Sequence, residues 1–220
     1  MQQPMSVEDH STSTENAGRF EVVGHSSGIL QSIQFPETNL ALWYREEQPD
    51  ISHEIERLEA YSLADERHVS SFVSFESDLT RVFTSQGLDP EAFDNLRADA
   101  QQLMSLFQSI SQPHELRFRL VTTDQDDCRR FHLDRVNMRL ITTYQGPGTE
   151  YLKEHELDRL AERNGGTNED IMKLGTSSHF PTHAVGIMKG DPRNHGKGLV
   201  HRSPAISATG IVRVLFCLDC

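Results

Sequence analysis

The stretch that decides the fold runs from Cys128 to Glu150 and reads CRRFHLDRVNMRLITTYQGPGTE. It places two metal-binding side chains, His132 and Asp134, one residue apart, and continues into a β-branched and aromatic segment that ends at the turn Gly146-Pro-Gly148. Side chains at positions i and i+2 of a β-strand point to the same face of the sheet. His132 and Asp134 are therefore predicted to face one metal ion, and a third ligand must come from elsewhere in the chain.

His201 is the best candidate for that third ligand. It lies in a predicted strand over Leu199–Ser203, which Pro204 ends, and Arg213 opens the last predicted strand 12 positions after His201. The connector over residues 204–210 is small and polar, as in a hairpin loop. The two strands are therefore predicted to form a β-hairpin.

The last strand has two chemically different faces. Alternate residues form two sets, one with Arg213, Leu215 and Cys217, the other with Val212, Val214, Phe216 and Leu218. The second set is entirely hydrocarbon and is predicted to pack on helices. The first set places a lone arginine beside apolar residues, and burial of an unpaired charge is unfavourable. A bound carboxylate would satisfy this guanidinium through a bidentate pair.

The rest of the chain indicates an α+β fold. Residues 1–18 are polar and aperiodic and are predicted to be a disordered tail. Residues 19–112 are predicted to be mostly helical, with one or two strands. Residues 113–220 contain many short strands separated by Gly and Pro, a pattern typical of a β-sandwich or barrel. We therefore predict one integrated domain, a β-barrel in the C-terminal half covered by an N-terminal helical layer.

Several helices have clear sequence signals. Asp50 is predicted to cap a helix over 51–61, and Asp89 followed by Pro90 is predicted to start a helix that continues to Ile110. A further helix is predicted over 151–163.

Composition restricts the classes of function. The chain has 220 residues, a formal net charge of -12 and three cysteines. An acidic chain is a poor ligand for nucleic acid or an anionic membrane, and the odd cysteine number fits a reducing compartment. The N-terminus lacks a signal-peptide pattern. We therefore expect a cytoplasmic protein that acts on a small molecule, binds neither nucleic acid nor membrane, and forms a homodimer by default.

The order of the candidate residues resembles that of a known enzyme superfamily. The pair His132-x-Asp134, the distant His201 and the following Arg213 look like the signature of the Fe(II)/2-oxoglutarate oxygenases, whose fold is a double-stranded β-helix, a cupin-like jelly-roll barrel. The resemblance implies that the two histidines and the aspartate bind iron. It also implies that Arg213 binds the distal carboxylate of 2-oxoglutarate.

Two hydroxyl side chains follow the His-x-Asp pair on the next predicted strand. The resemblance implies that Tyr144 or Thr142 could add a hydrogen bond to the same carboxylate. His183 lies in an apolar segment and is either a fourth ligand or, more commonly for such a residue, a hydrogen-bonded core histidine.

A closer resemblance covers residues 20 to 218. The segments Asn39–Arg45, Arg130–Asp134, Thr143–Glu150 and Val200–Pro204 look like those of the bacterial domain-of-unknown-function family 1826. That family implies no reaction. Its genes tend to lie near zinc-homeostasis genes, which would favour zinc as the metal.

The residues leave three functions open. Two histidines and a carboxylate suit non-haem Fe(II), and the same set can hold Zn²⁺ with an activated water. The alternatives to an oxygenase are a zinc-binding cupin-like protein of metal homeostasis without turnover, and a zinc hydrolase or lyase. Without any metal, the histidines would be ordinary core or turn residues and Asp134 would cap a turn. Arg213 distinguishes the oxygenase from these alternatives, because an inward-facing arginine without an internal acidic partner implies a carboxylate ligand.

Overall fold

The computed structural model describes residues 20–113, 115–192 and 194–220, so the tail predicted over residues 1–18 lies outside the described residues. The strands are β1 Glu21–Gly24, β2 Leu40–Trp43, β3 His68–Ser70, β4 Leu116–Thr123, β5 Met138–Gln145, β6 Glu150–Tyr151, β7 Ser178–His179, β8 Val185–Lys189, β9 His201–Arg202 and β10 Arg213–Asp219. The α-helices are α1 Pro49–Ile55, α2 Phe75–Ser85, α3 Asp94–Ser111, α4 Arg159–Arg163 and α5 Asn168–Ile171. Short 3₁₀ helices cover Ser27–Gln34, Pro90–Phe93 and Glu154–Glu156.

The strands form two sheets. The larger has seven strands in the order β1-β2-β8-β5-β10-β4-β3, and the smaller has three in the order β7-β6-β9. All pairings are antiparallel except that of β1 with β2. A single bridge between His132 and His201 extends the smaller sheet beyond β9. From β4 onwards the chain therefore passes repeatedly between the two sheets.

Each face of the large sheet lines its own apolar cluster. One cluster combines side chains from α1, α2 and α3 with alternate residues of β10, namely Val214, Phe216 and Leu218. The other lies between the sheets and contains Leu215 and Cys217 of β10 together with Tyr151 of β6. The predicted division of the last strand into two faces is confirmed.

A buried ion pair lies on the helical side of the large sheet. Arg45 binds Asp99 of α3 through two contacts, Nη1 to Oδ1 at 2.6 Å and Nη2 to Oδ2 at 3.0 Å. The hydroxyl of Tyr144 on β5 donates to Asp99 Oδ2 at 2.6 Å. Burial raises the pKa of Tyr144 well above its usual value, so this hydroxyl stays a donor. The network ties α3 to the middle of the sheet.

Several sequence predictions differ from the structure. The N-terminal region contributes three strands, β1, β2 and β3, to the large sheet, where one or two were expected. The predicted hairpin of β9 and β10 is wrong, because the two strands lie in different sheets. Their small polar connector instead crosses between the sheets, and Asp126 Oδ1 accepts the backbone N–H groups of Ile206 and Ser207 there. A short polar connector predicts that the chain changes direction, but it does not predict which strand becomes the pairing partner.

The helix ends also differ. The predicted helix over 51–61 is shorter and starts earlier, as α1, with Gln48 rather than Asp50 at the N-cap. Proline at the first helical position explains that start, because it needs no N–H partner there. Over 151–163 a 3₁₀ turn precedes the short helix α4. Asp89 caps the 3₁₀ turn ahead of α3 as predicted, accepting from the N–H of Glu91. Within the described ranges, no helix has the length and apolar character needed to cross a bilayer.

Candidate metal centre

The structure brings the three predicted ligands together. His132, Asp134 and His201 each offer one ligand atom, and these atoms lie within 4.8 Å of one another. The Nε2 atom of His132 is 3.7 Å from Asp134 Oδ1, and Nε2 of His201 is 3.4 Å from Oδ2. The backbone bridge between the two histidines fixes this approach, with N–H to O distances of 3.0 and 3.1 Å. The site therefore depends on pairing between residues that are 69 positions apart.

Both imidazole rings have a fixed tautomer. Nδ1 of His132 is 2.9 Å from the carbonyl oxygen of Arg130, and Nδ1 of His201 is 3.2 Å from that of Leu199. A carbonyl oxygen only accepts, so each Nδ1 carries a hydrogen and, in the neutral ring, each Nε2 presents a lone pair. Burial lowers the pKa of His201 to about 4, which keeps that ring neutral near pH 7. Burial would also lower the pKa of His132, but its contact with Asp134 outweighs burial and raises the pKa, so a cation bound there would compete with a proton at Nε2. With that proton displaced, two lone pairs and a carboxylate converge, an arrangement suited to a cation.

Asp134 is held in place by an arginine. Its Oδ2 lies 2.7 Å from Nη1 of Arg139, yet without hydrogen-bond alignment, so in the described structure this buried oxygen has no hydrogen-bond partner. Arg139 is itself anchored by Asp219, through Nε to Oδ1 at 2.5 Å and Nη2 to Oδ2 at 2.8 Å. Burial alone would raise the pKa of Asp134, but its basic neighbours His201, His132 and Arg139 together outweigh burial and lower it. Asp134 is therefore an ionised ligand.

The strand that was predicted to carry His132 and Asp134 is reduced to one bridge at His132. Asp134 follows in irregular backbone, and its carboxylate is positioned by Arg139 rather than by a strand pleat. The prediction that His132 and Asp134 lie together is therefore correct, but only His132 takes part in strand pairing.

Close backbone packing supports the Asp134 loop. Gly190 follows β8 and approaches so near that a Cβ atom added to it would lie 1.9 Å from the carbonyl oxygen of Val136 and 2.7 Å from that of Asp134. The N–H of Asp191 donates to the same Asp134 carbonyl at 2.8 Å. Only glycine fits this contact, because both neighbours are backbone atoms that cannot move independently.

We expect Gly190→Ala to displace the Asp134 loop. Overpacking of this kind destabilises by about 1–3 kcal/mol, and loss of ligand orientation lowers metal affinity by about 10–100-fold. Denaturant unfolding and Fe(II) titration would measure the two effects. Gly28→Ala is the matched control, because the nearest atom to its added Cβ is 3.7 Å away. Equal behaviour of the two variants would contradict the role assigned to Gly190.

Arg213 is buried at the start of β10 on the face between the sheets. The side chain is 2% exposed, and its Nη2 donates to Thr143 Oγ1 at 3.2 Å and Thr149 Oγ1 at 3.0 Å. No carboxylate of the described residues pairs with it, and Nε is buried without a partner. Burial lowers the pKa of Arg213 to about 10, so it remains charged near pH 7. A buried cation that contacts only hydroxyl groups calls for an anion.

The hydroxyl groups predicted beside Arg213 were placed on the wrong face. Tyr144 and Thr142 point to the helical side, where Tyr144 binds Asp99 and Thr142 Oγ1 accepts from Arg45 at 3.4 Å. The hydroxyl groups that do contact Arg213 are those of Thr143 and Thr149. A one-residue error along a strand moves a side chain to the opposite face. The apolar residue Leu140 shares the helical face with Tyr144. It could have indicated which alternate residues of β5 face the helices.

Other candidate ligands lie elsewhere. His183 adopts a left-handed backbone conformation, with φ of 67°, and Arg45 donates to its carbonyl oxygen at 2.6 Å. Burial lowers the pKa of the His183 ring. It is absent from the only cluster of three metal-ligating residues found in the described ranges.

Comparisons with known proteins define the class of fold. The chain is similar to the structure of dioxygenase for auxin oxidation 1 from Arabidopsis thaliana in complex with 2-oxoglutarate, with 9% identity, a TM-score of 0.50, and coverage of 90% of this chain and 91% of that one. It is also similar to the dioxygenase for auxin oxidation of rice, with 11% identity, a TM-score of 0.52, and coverage of 90% and 81%. At such identities the likeness concerns the fold alone. The chain thus has a dioxygenase-like α+β fold with a large, mainly antiparallel sheet.

The family follows from the sequence. A family profile described as "Protein of unknown function (DUF1826)" matches residues 24–219. The chain belongs to this family, as the quoted segments predicted. No curated protein matches the chain.

Proposed function

We propose that this protein is a non-haem Fe(II)- and 2-oxoglutarate-dependent oxygenase built on a double-stranded β-helix. His132, Asp134 and His201 would hold the iron. Two imidazoles and a carboxylate form the facial set that leaves coordination positions open for other ligands. The convergence of their lone pairs, with the buried Asp134 Oδ2, supports a cation at this place.

Arg213 is the observation that carries the proposal. It would bind the distal carboxylate of 2-oxoglutarate, with Thr143 and Thr149 orienting its guanidinium. In a metal-storage protein this arginine would have only a structural role. A charged group kept in the interior without an acidic partner destabilises the fold, which a cosubstrate carboxylate would compensate.

The spacing between Arg213 and the metal ligands is compatible with this cosubstrate. His201 pairs directly with Tyr151, so their side chains lie on one face of the small sheet. Thr149, which contacts Arg213, precedes Tyr151 by two residues, or about 6–7 Å along an extended chain. A five-carbon dicarboxylate can span such a distance, with its keto acid end near the histidines.

The protein's own residues orient the ligands of the site and set their charges before any reaction. Bound Fe(II) and 2-oxoglutarate would supply the oxidation of an organic substrate by O2, coupled to decarboxylation of 2-oxoglutarate to succinate. The carbonyl groups of Arg130 and Leu199 keep the imidazole lone pairs directed at the metal position. Arg139 keeps Asp134 ionised, and burial of Arg213 strengthens its attraction for a carboxylate.

The test is anaerobic titration of metal-free protein with Fe(II), followed by 2-oxoglutarate. We expect one Fe(II) per chain and a visible charge-transfer band on addition of 2-oxoglutarate, with succinate released after exposure to O2. Tight zinc binding with no 2-oxoglutarate binding would contradict the proposal and favour the zinc functions. Neither structural comparison supports zinc.

A further inference from the structure

A polar cleft of about 750 Å³ adjoins the candidate metal centre. His132 forms part of its wall, and the surrounding residues come from the Asp134 loop, the end of α4 and the segment after β8. A cleft of this volume is large enough for a small-molecule ligand. Its position beside a proposed iron ligand makes it the place where an organic substrate would reach the metal.

Three arginines line this cleft, Arg130, Arg135 and Arg163. In the described part of the chain, none of them forms an ion pair with a carboxylate. They outnumber the cleft's two acidic residues, Glu162 and Asp191. The whole chain carries a formal net charge of -12, so this cluster of unpaired arginines is opposite in sign to the net charge of the protein.

Arg130 is fixed in this position by backbone atoms. Its Nε donates to the carbonyl oxygen of Gly166 at 3.0 Å, and its Nη2 to that of Glu162 at 2.9 Å. Nη1 has no partner among the residues described. The carbonyl group of Arg130 also accepts from the His132 ring. One residue therefore links the orientation of a proposed iron ligand to a positively charged wall of the cleft.

We propose that this cleft binds the organic substrate, and that the substrate carries a phosphate or carboxylate group bound by Arg135 and Arg163. The assignment of the ligand as substrate rests on the proposed oxygenase function. Planar guanidinium groups suit both anions, because each presents parallel N–H donors to two oxygens. The acidic surface elsewhere repels anions, so electrostatic attraction is concentrated at this cleft.

The test uses full-length, metal-free protein and NMR titration with three probes: inorganic phosphate, benzoate and neutral benzamide. We expect both anions to bind and benzamide not to bind. The double variant Arg135→Gln/Arg163→Gln should raise the anion Kd by up to about 25-fold, at up to about fivefold for each exposed charge. Both side chains are exposed and unpaired, so the variant should fold normally. A lower Kd for phosphate than for benzoate would identify a phosphate ligand, and the reverse a carboxylate.

One control variant locates the binding. Arg67→Gln removes an exposed arginine that lies outside this cleft, and it should leave the Kd values unchanged. Equal binding of benzamide, or an unchanged Kd in the double variant, would overturn the proposal. Because metal is absent, anion binding that depends on Arg135 and Arg163 would stand even if Fe(II) and 2-oxoglutarate did not bind.

Discussion

Arg213→Met is expected to abolish 2-oxoglutarate binding while leaving the fold intact. Removing a buried, hydrogen-bonded charge partner weakens binding by about a hundredfold or more. The ligand-free protein should not lose stability, because methionine fills similar space and removes a buried guanidinium whose Nε has no partner. Binding should therefore be lost without a loss of stability. Isothermal titration with 2-oxoglutarate, in the presence of Mn²⁺ to prevent turnover, and denaturant unfolding would measure them.

The matched control is Arg117→Met, which removes an exposed arginine from the neighbouring strand β4. It should change neither 2-oxoglutarate binding nor the free energy of unfolding by a measurable amount. A large loss of stability in Arg213→Met would mean that the arginine is structural. Retained 2-oxoglutarate binding in that variant would remove the main support for the oxygenase.

His132→Ala is expected to lower Fe(II) affinity by more than a hundredfold. Loss of residues that only orient metal ligands already lowers affinity by about 10–100-fold, and His132 would supply a ligand atom itself. The wild-type protein should gain about 2.7 kcal/mol of stability at a metal concentration one hundred times the Kd. The variant should gain less than about 0.4 kcal/mol at that concentration. Anaerobic Fe(II) titration and metal-dependent thermal unfolding would measure both.

His179→Ala is the control for this experiment. His179 also lies near a carboxylate, with Nε2 3.6 Å from Glu150 Oε1, but it is exposed and outside the metal cluster. It should bind Fe(II) as the wild type does. If both variants bound metal equally well, the convergence of His132, Asp134 and His201 would be unrelated to metal.

The parts of the site that the sequence could predict share a local cause. Asp134 was found from its spacing to His132, and Arg213 from its position in an apolar face. Arg139 and Asp219 were missed, because their contact with each other, which anchors the arginine beside Asp134, depends on the pairing of β5 with β10. Pairing of distant strands leaves no mark in local spacing. Thr143 was missed through the one-residue phase error on β5, and Thr149 was missed because it lies outside that strand, directly before β6.

The same limit applies to the fold. The two faces of β10 were predicted correctly. β1 and β3 are short edge strands of the large sheet, and their few residues carry too little pattern to distinguish a strand from a loop. The bidentate pair of Arg45 and Asp99 joins residues that are 54 positions apart, which no local pattern indicates.

The tautomers of both candidate iron ligands are set by main-chain carbonyl groups two positions earlier in the chain, those of Arg130 and Leu199. Main-chain carbonyl groups remain present when the side chains at those positions are substituted. Genetic drift can therefore replace surrounding side chains without disturbing how the imidazoles present themselves. Lineages carrying this fold could diversify the walls of the cleft while inheriting an unchanged pair of histidines.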